Sequence, residues 1–110
     1  MSNQELNLAI AQLVYPDAWY QDGCMVNGVV VIQLPDYCNN WNNLMPLVIE
    51  HGIDISNHID GDGNKCIEAE WWYNQDIDCI SVYSHDTTPQ IALAECLLLV
   101  LQEKEKANAS

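Results

Sequence analysis

The chain contains no phenylalanine and, since Lys65, Lys104 and Lys106 account for all three of its basic residues, no arginine. Proteins that hold nucleic acid neutralise a dense line of phosphates with Lys and Arg. Here three lysines stand against 16 Asp and Glu side chains, for a formal net charge of -13, and two of those lysines lie near the C-terminus. The balance argues against direct binding of DNA, RNA or an anionic membrane surface. Long apolar runs are missing too, since nothing approaches the roughly 20 residues that cross a bilayer. The opening MSNQELNLAIAQLVYP has no basic stretch ahead of an apolar one, so it does not read as a secretory signal. A cytoplasmic protein is expected. The five cysteines (Cys24, Cys38, Cys66, Cys79 and Cys96) never form a C-x-x-C pair. That pattern favours reduced, mostly buried thiols over a disulfide framework or a zinc site. Walker loops, G-x-S-x-G and dinucleotide fingerprints are also absent, and Gly61 and Gly63 flank Asp62, the wrong charge for a phosphate cradle.

What is present suffices to fold. Hydrophobic residues make up 49% of the 110 positions, with four Trp and five Tyr, so the acidity does not imply disorder. A chain of this length makes one domain, expected over residues 1–104 with a polar tail at 105–110.

Ser2 and Glu5 form a capping box ahead of Leu6, Ile10 and Leu13 at helical spacing, which predicts a helix over about 3–14 stopped by Pro16. Met25 and Val26 face Val29 to Ile32 across Asn27-Gly28, the strongest local hairpin signal in the sequence. The second arm, VVVIQL, is apolar at successive positions, so both of its faces should be covered. The stretch CNNWNNLMPLVIEHG predicts a second helix, with Pro46 in its first turn and Gly52 after its end; with a start as early as Trp41, Pro46 would kink it. Residues 53–64 read as loop. KCIEAEWWY and DIDCISVYS predict a second hairpin joined through Asn74 and Gln75, with Ile67, Ala69, Trp71 and Tyr73 on one face and Cys66, Glu68, Glu70 and Trp72 on the other, so that one tryptophan faces away from the other. Thr87 and Gln90 make a second capping box. Between Ile91 and Leu101 the only polar residue is Glu95, so the last helix is either central or paired with another subunit. The expected class is α+β: a roughly four-stranded antiparallel sheet with helices on both faces, in the order α-β-β-α-β-β-α.

The run DYCNNWNNLMPLVIEHG (36–52), followed by TTPQIALAECLLLVLQ (87–102), resembles the phage ABA sandwich domain, the NinX-like small proteins of bacteriophages and prophages. The opening LNLAIAQLVYPDA is similar to the start of a gammaproteobacterial branch of that family. The resemblance spans nearly the whole chain, and its most specific parts are Cys38 to Leu47 and Pro89 to Cys96. It implies a three-layer α-β-α sandwich of phage or prophage origin and no defined activity.

Chemistry-bearing clusters are few. Asp60, Asp62 and Asn64 match the first three ligand positions of an EF-hand loop, but Lys65 stands where that loop needs Gly and Trp71 where it needs a bidentate Glu. The segment reads better as a solvated turn. His51, His58 and His85 have no second His or Cys at ligand spacing, and His51 belongs to a last helical turn, where a cation gains from the dipole. No catalytic residue, metal or cofactor is expected. The remaining feature is the charge, since a domain this small needs a net charge of magnitude about 2 to 8 for solubility. Glu68 and Glu70 project from one strand face about 6.7 Å apart, close to the spacing of successive phosphates. With Asp60, Asp62, Trp72, Asp76 and Asp78 they are the candidate residues for binding a protein with a basic surface, as a nucleic-acid mimic would. Two other readings stay open: a small-ligand or metal-binding module using Trp71 or Trp72 with the 60–68 loop, and a structural subunit that oligomerises through the apolar C-terminal helix.

Overall fold

The computed structural model describes residues 2–21, 23–59, 61–72, 79–84 and 88–109. In chain order they form α1 (Asn3–Val14), β1 (Trp19–Gln21), β2 (Cys24–Asn27), β3 (Val30–Gln33), α2 (Trp41–His51), β4 (Asp54–Ile59), β5 (Lys65–Trp72), β6 (Cys79–Tyr83) and α3 (Pro89–Ala109). The α+β class stands, but the single four-stranded sheet does not. There are two three-stranded antiparallel sheets, ordered β1-β2-β3 and β4-β5-β6. Each expected hairpin gains a neighbour that the sequence hides. β1 has only three residues, too few to show a period, and β4 lies in the stretch read as loop. There Ile53, Ile55 and Ile59 do alternate with Asp54, Ser56 and His58, but Asn57 breaks the pattern.

Helices α1 and α2 pack on α3, which lies against β5 and β6. Their shared core takes Leu6, Ile10 and Ala11 from α1, Leu44 and Val48 from α2, Ala69 from β5, and Leu93, Cys96, Leu97 and Val100 from α3. From Ala92 to Leu101 only Glu95 and Leu99 escape burial, so α3 is central within its own chain. Each buried aliphatic side chain contributes about 1.5–3 kcal/mol. The helix runs to Ala109, because Glu, Lys and Ala are strong helix formers.

The caps are partly as expected. The Ser2 hydroxyl accepts from the Glu5 backbone N–H at 3.2 Å. For α3 the cap is Thr88, whose Oγ1 accepts from Ile91 N; Thr87 lies outside the described residues. Gln90 turns inward instead, its Nε2 donating to the Tyr37 carbonyl at 3.2 Å. Helix α2 starts at Trp41 after Asn40, whose side chain accepts from Asn42 N, so Pro46 falls in the second turn and not the first. At its end Gly52 is left-handed, with φ 71. Gly52 N donates to Ile49 O and Ile53 N to Val48 O, a Schellman closure that only a residue at ease with positive φ completes cheaply.

The first sheet departs most from expectation. Asn27 pairs with Val30, so the hairpin turn is Gly28-Val29, one residue later than read, with Gly28 at φ 66. β3 is not covered on both faces: Val30, Val31 and Ile32 are 55%, 65% and 41% exposed. The sheet joins the body through Tyr20 and Leu34, which pack on the core. The Tyr20 hydroxyl sits 2.7 Å from Ala11 O and 3.0 Å from Tyr15 O, both carbonyls at the end of α1. The segment leading to α2 is held by the buried Asn7, whose Nδ2 donates to Asp36 Oδ1 at 3.0 Å while its Oδ1 accepts from Cys38 N at 3.2 Å.

Candidate functional site

Strand β5 sets the site because its alternation sends two kinds of side chain to opposite faces. Ala69 is fully buried and Trp71 packs on the core, together with Ile80 and Val82 of β6. Trp72, one residue on, must face the other way and is 42% exposed. That outer face is built in rows by strand register: Asp54 beside Glu70 beside Ser81, then Ser56 beside Glu68 beside Tyr83, with Trp72 beside Cys79 at one end and His58 beside Cys66 at the other. Asp54, Ser56, Trp72, Cys79 and Tyr83 are exposed, while Glu68, Glu70 and Ser81 are half-buried.

The electrostatics of these rows are unfavourable to the fold by themselves. Directly opposed residues of an antiparallel pair hold their Cβ atoms about 4.5–5.5 Å apart, and like charges there repel. Asp54 and Glu70 are such a pair. The Glu68 carboxylate accepts a hydrogen bond from the Tyr83 hydroxyl, which holds that phenol above its ordinary pKa of 10. The His58 and Tyr83 rings meet across β5 with centroids 4.9 Å apart, and Cys66 is left 8% exposed. The face is therefore a strip of three carboxylates bounded by an aromatic pair at one end and an indole at the other. Such a surface suits a cation, which gains from carboxylates and from ring faces together.

Of the residues read as partner-binding, Glu68, Glu70 and Trp72 share this face. Asp62 lies in the turn before β5 and is exposed. Asp60, Asp76 and Asp78 lie outside the described residues, as do Tyr73 and the connection expected through Asn74 and Gln75. Asp54, Ser56, His58 and Tyr83 were missed. The signal for the first three was the broken alternation of residues 53–59, and for Tyr83 the parity of β6.

Other chemistry finds less support. Among the described residues no three His, Cys, Asp or Glu side chains come together as metal ligands. All five cysteines are free thiols. Burial pushes Cys38 up to about 11 and Cys96 up to about 12, far from the thiolate that nucleophilic chemistry needs. A cleft of about 630 Å³ between α1 and the first sheet is lined by Asn7, Tyr20, Cys24, Gln33 and Asp36 among others, but Asn7 and Asp36 already satisfy each other there. Among the described residues, no helix is long and apolar enough to cross a membrane.

Fold and surface together define a small acidic α+β protein with an open, carboxylate-bearing sheet face. Its fold is similar to that of a phage protein from Bacillus cereus ATCC 14579 solved by crystallography at 2.0 Å, with a TM-score of 0.62 and 14% sequence identity over 93% of this chain and 89% of that one. No protein-family model and no curated protein matches the sequence.

Proposed function

We propose that this chain is a phage or prophage accessory protein of the NinX-like, ABA-sandwich kind that acts by binding and not by catalysis. Its partner is a protein with a basic surface, received on the outer face of β4–β6. The observation that carries the reading is the direct opposition of Asp54 and Glu70 on an open face that also bears Glu68, Trp72 and Tyr83. Repulsion between such carboxylates costs the free protein stability, and a partner's Lys or Arg relieves it on binding. Glu68 and Glu70, about 6.7 Å apart along the strand, match the repeat of a phosphate backbone, so the face works as a nucleic-acid mimic toward a host or phage protein that binds nucleic acid. The small-ligand alternative has less support at Trp71, because that ring is half-buried against the core with Lys104 over it.

The test compares capture from bacterial host lysate by the wild-type chain and by Glu68→Lys/Glu70→Lys, at about 50 mM and about 500 mM salt. Charge-steered association weakens as salt screens it. Proteins retained by the wild type at low salt, released at high salt and missed by the double variant support the reading. If everything retained is indifferent to both the salt and the substitution, the reading fails.

A further inference from the structure

We infer that the chain pairs with a second copy of itself through the outer edge of β3. In the order β1-β2-β3 this strand is terminal, and among the described residues no strand lies along its outer side. Its backbone parity follows from two contacts. Asn27 is the register partner of Val30, and Leu34 N donates to Gly23 O at 2.9 Å. Positions 30, 32 and 34 therefore turn their N–H and C=O groups toward β2, and Val31 and Gln33 turn theirs outward. An edge of this kind is a template for another strand unless charge, proline or a bulge blunts it. Among the described residues none of these three blunts this one. Between Gly23 and Leu34 there is no charged residue and no proline.

Charge selects the occupant. In a chain of net charge -13, two copies repel almost wherever they meet, and a basic partner is drawn to the carboxylates. The uncharged β3 edge attracts no cation and is where two copies approach at least electrostatic cost. It is also complementary to itself. About a two-fold axis through Val31, Val31 exchanges both backbone hydrogen bonds with its symmetry mate, and the side chains of Val30 and Ile32 meet. Trp19 and Val31 share the solvent side of the sheet through the Trp19, Val26 and Val31 register, and are 78% and 65% exposed. Dimerisation sets the two Val31 side chains side by side on that face and merges the two sheets into one of six strands. With only a four-residue strand supplying the pairing, the dimer is weak and depends on concentration.

The experiment is light scattering coupled to size exclusion across a concentration series, in moderate salt. The expected mass rises from 12.4 kDa toward twice that value. Val31→Lys places like charges opposite each other at the axis while lowering the overall repulsion, and is expected to remain monomeric. Leu99→Lys, the same change at an exposed position of α3, is expected to dimerise as the wild type does, with circular dichroism checking that both variants fold. A Val31→Cys variant supplies a second readout. Paired residues about 5.5 Å apart at Cα fall within disulfide reach, so mild oxidation should yield a covalent dimer that the wild type, with its five native thiols, does not form. A monomer at every concentration, even one that takes up a different protein at this edge, overturns the inference. So does a dimer that survives Val31→Lys or is lost in Leu99→Lys.

Discussion

His51 ends helix α2 with its Nδ1 2.7 Å from Lys104 Nζ, and the same ammonium lies 5.6 Å from the centroid of the Trp71 ring. An ammonium only donates, so Nδ1 accepts and the imidazole is neutral, with its remaining proton on Nε2, 3.9 Å from Glu50 Oε2. The cation that complements the end of α2 is thus Lys104, brought from α3, and not His51 as its place in the last turn suggested. Burial first, and Lys104 second, hold the histidine below its ordinary pKa of 6.5. A group whose pKa is lower folded than unfolded favours the folded state above the unfolded pKa, and that contribution is lost as pH falls through the folded value. Urea unfolding followed from pH 7.5 downward should therefore show a loss of stability beginning near pH 6.5, and His51→Gln should flatten that step. An unchanged pH profile in the variant would place the titration elsewhere.

Helix α2 shows how local sequence and tertiary packing divide the work. Pro46 lies inside the helix, where it removes the hydrogen bond to the Asn42 carbonyl and crowds that turn. Its side chain is exposed, so it gives little back through packing. Pro46→Ala should raise stability by up to about 3 kcal/mol, read as a higher urea midpoint at unchanged slope. Elements marked by strong local chemistry were legible in the same way: Ser2 ahead of α1, Gly52 after α2, and the even-odd split of β5 that set Trp71 and Trp72 on opposite faces, although which of the two faces the core was decided only by packing. Elements that owe their existence to a neighbour were not. β4 is a strand because β5 pairs with it residue for residue from Asp54 to Ile59, a fact of tertiary register that its Asp, Ser and Asn content conceals. β3 carries the apolar pattern of a covered strand yet lies uncovered, because burial depends on what packs against a strand as well as on what it contains.

At the scale of the whole molecule, the charge and the apolar edge give opposite responses to one variable. The chain measures 50 × 32 × 21 Å, so many of its 16 carboxylates lie within a few Debye lengths of one another at low salt, where that length is about 30 Å at 0.01 M and about 10 Å at 0.1 M. Self-repulsion destabilises a compact state of such net charge. The thermal midpoint should rise as sodium chloride goes from about 10 mM to about 300 mM, a range over which this repulsion is screened. Screening lets two copies approach through the neutral β3 edge, so self-association should strengthen over the same range, while capture of a basic partner by Asp54, Glu68 and Glu70 should weaken. One salt titration, read by melting temperature, by mass and by partner retention, therefore separates the two surfaces. If partner binding and self-association instead moved together with salt, the two would share one surface and the division of the molecule into a charged face and a neutral edge would not hold.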